Sequence, residues 1–104
     1  MTLFLSFQAL ANSKVVQLDV EGAIHEGTVQ TIDQALTFAK DQKAQALLIT
    51  LDTPGGMLES TRKIVKTFLN ETQIPIIVYV SPTGSRAGSA GTFITLAAHV
   101  AAMA

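Results

Sequence analysis

Hydrophobic residues along this chain recur with two alternating periods. Val15, Val16, Leu18 and Val20, interrupted by Gln17 and Asp19, predict a strand, and Glu21-Gly22 marks the turn after it. From Thr28 to Lys40 the period changes. Val29, Ile32, Ala35, Leu36 and Ala39 fall at three- and four-residue steps and predict a helix with one apolar stripe. Lys40-Asp41-Gln42-Lys43 reads as its solvated end, with lysines at the negative pole. Ala46 to Leu51 is an unbroken apolar run, which predicts a strand buried on both faces. Pro54-Gly55-Gly56 breaks the chain. Leu58, Thr61, Ile64, Val65, Phe68 and Leu69 then mark a second amphipathic helix, with Arg62, Lys63 and Lys66 on its wet face. Pro75 opens a third strand, Ile76 to Val80, where its missing N–H is tolerated. A small-residue helix, Ala90 to Ala98, follows, and a further strand begins after His99.

Strands that alternate with helices predict an α/β fold with a parallel sheet and right-handed crossovers. Functional loops in such sheets lie beyond the carboxyl ends of the strands, and both glycine clusters of this chain fall there. Phe93, Leu96 and Met103 are expected in the core. The chain has no internal repeat and no interior run of ~20 apolar residues.

Composition narrows the function. The 104 residues allow one domain. At 48% hydrophobic and 14% charged, the chain is too apolar for a disordered one and too sparsely charged for a nucleic-acid binder. A net charge of −1 creates no field that attracts DNA, RNA or anionic lipid. With no cysteine, disulfides and thiolate metal sites are excluded. Residues 1–11 begin with the apolar stretch Met1 to Phe7 and end in Ala9-Leu10-Ala11, which reads as a signal-peptide remnant lacking its charged start. Residues 12–104 are then the domain proper, and the tail from His99 reads as cut in the middle of a fold.

The candidate chemistry centres on Gly84-Ser85-Arg86-Ala87-Gly88-Ser89-Ala90-Gly91-Thr92-Phe93. A strand runs into this stretch and a helix runs out of it. Ser89 therefore stands beside the free N–H groups of a helix N-terminus, where developing negative charge is stabilised. The glycine spacing lacks G-x-G-x-x-G, and no G-K-[ST] follows, which argues against phosphate binding of those kinds. Ala87 stands two residues before Ser89, so the G-x-S-x-G elbow is absent as well. The plain alternative is a serine that caps a helix. Asp52-Thr53-Pro54-Gly55-Gly56, one helix and one strand earlier, supplies a second glycine turn at the same sheet edge.

Taken together, Leu51-Asp52-Thr53-Pro54-Gly55-Gly56, Ile76-Ile77-Val78-Tyr79-Val80-Ser81-Pro82, the Ser89 stretch and the tail Ala97 to Ala104 resemble the ClpP/crotonase superfamily. Within it the chain is similar to the NfeD family of membrane-bound, ClpP-class serine proteases, from Val15 to the end. The resemblance implies a ClpP/crotonase-like parallel sheet, truncated at its C-terminus. It makes Ser89 the catalytic nucleophile and Gly56 and Ala90 the backbone donors of the oxyanion hole. Gly55, Gly56 and Met57 would receive an extended peptide by strand addition. In this family the general base is a lysine further along the chain, but here no lysine follows Lys66, so the Ser-Lys dyad is incomplete. Gly88 and Ser85 stand where the family usually has alanine, and Gly88 is expected to loosen the turn that aims Ser89. His99, about 15 Å away at ~1.5 Å per residue along the same helix, reads as structural rather than as a base. His25 reads as a surface loop residue and Arg86 as solvent-facing. Asp52 has no ligand cluster around it and is expected to hydrogen-bond around the Pro-Gly-Gly turn.

The function implied is that of a serine endopeptidase, with no cofactor and no metal. Its implied substrate is a peptide or membrane protein with hydrophobic segments, and its implied partners are a stomatin-like membrane protein and further copies of itself. The implied location is at the membrane, with the protease domain extracytoplasmic. Two alternatives stand beside it: a crotonase-like acyl-CoA enzyme, which uses the same oxyanion hole without a serine, and an inactive domain that binds extended peptides or supports assembly. The open sheet edge left by truncation predicts self-association or poor solubility of the isolated chain.

Overall fold

A computed structural model describes residues 14–104; the signal-peptide expectation falls on residues outside that range. The elements run β1 (Val15–Glu21), α1 (Glu26–Asp41), β2 (Ala46–Asp52), α2 (Leu58–Asn70), β3 (Ile76–Val80), α3 (Ala90–Ala97) and β4 (Val100–Met103). The sheet order is β1-β2-β3-β4, with every neighbouring pair parallel, as the alternation of periods predicts.

The register lines up one inward row after another. Leu18, Ile49, Val78 and Ala101 stand side by side, as do Val20, Leu51, Val80 and Met103. Leu47, Ile49, Leu51, Ile76, Val78 and Val80 are buried beneath the helices together with Ile32 and Leu36 of α1 and Ile64 and Phe68 of α2. Fully burying a side chain of this size contributes roughly 1.5–3 kcal/mol, so this cluster is a large favourable contribution to folding.

β2 departs from expectation. Its burial alternates, with Leu48, Thr50 and Asp52 only half-buried, because no described helix covers the second face of the sheet. That face carries Gln17 and Asp19 of β1. The Asp19 carboxylate accepts from the Thr50 hydroxyl and from Gln17 Nε2, and these bonds hold its carboxyl below the ordinary range. Phe93, Leu96 and Met103 are likewise exposed rather than in the core, because they lie on faces of α3 and β4 that no described element covers. Leu58 and Leu69 of α2 are exposed too, and with Val65 and Phe93 they line an open groove of about 460 Å³ between α2 and α3.

The helix ends are fixed by side chains. His25 is not a free loop residue: its Nδ1 accepts from Gly27 N–H at 3.0 Å while Thr28 Oγ1 accepts from His25 N–H, a reciprocal cap that starts α1 two residues before the sequence pattern does. Glu71 closes α2. Its carboxylate pairs with Lys40 at 2.9 Å and accepts from Gln73 N–H and Ile74 N–H at 2.7 and 2.9 Å. Burial pushes the Glu71 carboxyl up, but the Lys40 ammonium and the two N–H groups outweigh it, and the group is held below its ordinary value.

Candidate functional site

Two loops leave the carboxyl ends of neighbouring strands and are stitched together where they meet. Thr53 continues the direction of β2 and pairs with Ala87 in an isolated parallel bridge. Its N–H donates to Arg86 O at 2.8 Å, and its carbonyl accepts from Gly88 N–H at 2.9 Å. Asp52 Oδ1 accepts from Arg86 N–H at 3.2 Å. Asp52 thus ties one loop to the other rather than bracing its own turn. On the other side, Ile24 forms a second bridge, to Gly56. Ile24 N–H donates to Gly55 O at 2.9 Å and Met57 N–H to Ile24 O at 2.9 Å.

The glycines are what allow these loops to approach. A Cβ on Gly56 would stand 2.2 Å from Ile24 O, and one on Gly88 would stand 2.7 Å from Pro54 O. Both obstacles are backbone atoms. Gly88 therefore seats the serine loop against Pro54 at a distance alanine would not allow, which runs against the loosening expected of it. Gly55 adopts φ +131°, a conformation that L side chains rarely take.

Ser89 sits at the start of α3 with φ 46° and ψ −106°. A non-glycine residue at positive φ is strained, and such strain collects at functional sites. Its hydroxyl makes no capping bond to the helix, so the plain reading of Ser89 as an N-cap does not hold. The side chain is exposed, and its Oγ has no hydrogen-bond partner among the described residues. The α3 N-terminus leaves Ala90 N–H open as well, since Gly91 N–H and Thr92 N–H are taken by Gly88 O and Ser89 O. Gly56 N–H also has no acceptor among the described residues.

The structure therefore brings Ser89, Gly55, Gly56 and Ala90 to one edge of the sheet. Met57 is beside them, with its side chain exposed and its N–H committed to Ile24. His99 is elsewhere. Its Nδ1 accepts from Ile76 N–H at 2.9 Å and its Nε2 lies 3.1 Å from Glu71 O, so both ring nitrogens serve the backbone. Arg86 is exposed, as expected, and contributes through its backbone. Among the described residues no group of His, Asp and Glu is arranged to hold a metal ion. The sequence reading missed Thr53, which is fully buried, and Ile24. The first had a signal in its place before Pro54-Gly55-Gly56; the second had none, since its bridge is a tertiary contact.

Residues 14–104 match the NfeD1b N-terminal domain family. The chain belongs to that family. It is 39% identical over 102 residues to the membrane-bound protease PH1510 of Pyrococcus horikoshii, covering 98% of this chain and 23% of that protein. It is 32% identical over 84 residues to the membrane protein NfeD1b of Bacillus subtilis, covering 81% of this chain and 18% of that protein. The chain thus spans about a quarter or less of the length of these relatives. Among solved structures, it superimposes with TM-score 0.83 on a serine-to-alanine mutant of the membrane-bound, stomatin-specific protease 1510-N, at 37% identity, covering 88% of this chain and 44% of that one. A lysine-to-alanine mutant of 1510-N, in complex with a substrate peptide, gives TM-score 0.83 at 38% identity, covering 88% and 41%. Similarity to ClpP1 of Listeria monocytogenes, with TM-score 0.65 and 21% identity over 90% of this chain and 51% of that one, shows the shared ClpP-like fold. As an NfeD1b relative the chain is homologous to a membrane protease, although no helix of the described residues is long and apolar enough to cross a membrane.

Proposed function

We propose that this domain carries the nucleophile and oxyanion hole of a membrane-associated serine endopeptidase, with its general base supplied by a lysine outside these 104 residues. The observation that supports this most is Ser89 itself. It holds a strained backbone, its hydroxyl does not cap the helix that follows, and Gly55 lies against it. Strain without a capping bond is unexplained by stability and fits a hydroxyl held out for reaction.

In this reading an extended peptide lies along Gly55, Gly56 and Met57. The base takes the Ser89 hydroxyl proton as Oγ attacks the scissile carbonyl carbon. The carbonyl oxygen becomes an oxyanion and accepts from Gly56 N–H and Ala90 N–H, donors already free of internal partners. The C–N bond then breaks and the amine departs with the proton. Water, deprotonated by the same base, hydrolyses the ester and returns Ser89 to its starting state. One well-aimed oxyanion donor contributes ~10²–10³ in rate, so both loops matter. The relative 1510-N is named as stomatin-specific, and its complex holds a substrate peptide. A stomatin-like membrane protein is therefore the first substrate to test, with an extracytoplasmic protease domain and self-assembly as parts of the same proposal.

The deciding experiment treats the full-length gene product with a fluorophosphonate and maps the adduct by mass spectrometry. Labelling at Ser89, lost in Ser89→Ala, supports the reading. Peptide turnover that Ser89→Ala leaves intact overturns it. An acyl-CoA enzyme would show acyl transfer or hydration without the adduct, and a binding domain would show neither.

A further inference from the structure

We infer that Thr53 is a positioning residue that fixes the direction of the Gly56 N–H. This role rests on the reading of Gly56 as an oxyanion donor; the geometry beneath it does not. Gly55 C=O and Gly56 N–H belong to one planar trans peptide unit, so they point to opposite sides of the chain. The oxygen of that unit is held twice. Thr53 Oγ1 donates to it at 3.1 Å, and Ile24 N–H donates at 2.9 Å. Fixing the oxygen inward turns the Gly56 N–H the other way, where it has no internal acceptor.

A peptide unit between two glycines needs such a hold. Neither residue has a side chain to oppose rotation of the plane, and glycine tolerates the torsions on either side of a flip. The same Thr53 hydroxyl accepts from Gly55 N–H at 3.1 Å, so it grips the residue at both its amide and its carbonyl.

Thr53 is also anchored to the part that carries Ser89. Both its backbone groups bond to the serine loop, at Arg86 and Gly88. Its methyl faces the first turn of α3: a Cβ on Gly91 would lie 2.6 Å from Thr53 Cγ2. One buried side chain thus sets the oxyanion donor in the same frame as the nucleophile. Chemistry of this type depends on that fixed relation, because a donor that must reorient during reaction loses its advantage.

The hydroxyl and the methyl can be separated by substitution. Thr53→Val keeps the shape and loses the hydroxyl. Thr53→Ser and Thr53→Ala share the lost methyl and differ only in the hydroxyl, which keeps the comparison valid if the valine variant packs poorly. The first readout is the Gly56 amide resonance of the full-length gene product, labelled with ¹⁵N-glycine, in a ¹⁵N-correlated NMR spectrum. A single sharp Gly56 amide in wild type and Thr53→Ser, with broadening or doubling in Thr53→Val and Thr53→Ala, is expected. An unshifted sharp resonance in the variants without the hydroxyl overturns the inference. The second readout is peptide turnover by the full-length gene product. Thr53→Val is expected to lower kcat by ~10²-fold with KM within about two-fold, and Thr53→Ser to recover most of it. Wild-type kcat in Thr53→Val overturns the catalytic part. If Ser89→Ala retains full turnover, the protease reading itself has failed, and the NMR comparison alone decides whether Thr53 holds the plane.

Discussion

A Cβ built on Gly55 would stand 3.0 Å from the Cβ of Ser89, so the two residues touch across loops from different strands. The contact sits at the point where φ +131° at Gly55 meets φ 46° at Ser89. Alanine at position 55 meets both the strained torsion and the serine side chain. Gly55→Ala is expected to destabilise the domain by about 1–3 kcal/mol. Gly56→Ala is expected to cost more, because its new methyl meets Ile24 O at 2.2 Å and Ile24 N at 2.5 Å, and backbone cannot rotate aside as a side chain can. Urea unfolding of the three proteins checks the ranking; a wild-type midpoint for Gly56→Ala would contradict it.

The strain at Ser89 gives a prediction of opposite sign. Glycine adopts positive φ without the Cβ penalty, so Ser89→Gly is expected to stabilise the chain by roughly 1 kcal/mol, while Ser89→Ala keeps the strain and gains nothing. Both variants lose fluorophosphonate labelling in the full-length protein. A more stable but unreactive Ser89→Gly is the pattern expected where stability is given up for a reactive geometry. Thermal unfolding that ranks Ser89→Gly at or below wild type would remove the strain argument.

Glu71 predicts the acid sensitivity of the fold. Its carboxyl is held below its ordinary value in the folded chain, by Lys40 and by the Gln73 and Ile74 N–H groups acting against burial. A depressed folded value means that the unfolded chain takes up the proton first. The stabilisation is complete above the ordinary carboxylate range and is lost as pH falls through the folded value. Glu71→Gln is expected to cost on the order of 1–3 kcal/mol at neutral pH. Its stability should then fall less steeply than wild type between about pH 5 and pH 3. Parallel pH profiles of the two proteins would contradict this role for Glu71.

The elements of the fold were largely legible in the sequence because local periodicity is a direct record of which face is buried. Ile76 to Val80 and Ala46 to Leu51 read as strands from their apolar runs, the second ending one residue short of the observed β2, and the stripe Val29, Ile32, Leu36 and Ala39 is the buried face of α1. What failed was the assignment of burial where neighbours are absent. Leu48 and Leu96 are apolar, but nothing in one strand or one helix says whether a second layer covers it. At the site, Gly55, Gly56 and Ser89 were visible as a glycine turn and a helix start. The positive φ of Ser89, the Ile24 bridge and the reach of Asp52 to Arg86 were not, since each depends on two loops meeting in space.

His99 is the residue whose substitution most sharply separates structure from chemistry. Histidine near a serine invites a triad reading, but both nitrogens of this ring are engaged elsewhere. Nδ1 accepts from Ile76 N–H at the start of β3, which leaves the proton on Nε2, facing Glu71 O. The ring therefore clamps the end of α2 to the start of β3, on the far side of α3 from Ser89. His99→Ala strands the N–H of a fully buried residue, Ile76, at a cost of about 1–3 kcal/mol. His99→Asn, which offers an acceptor near the position of Nδ1, should recover part of that loss. At a temperature where all three proteins are folded, Ser89 labelling in the full-length protein should be the same in each. A selective loss of labelling in His99→Ala, with the fold intact, would make His99 a participant in the chemistry and would require the ring to leave both backbone partners to reach it.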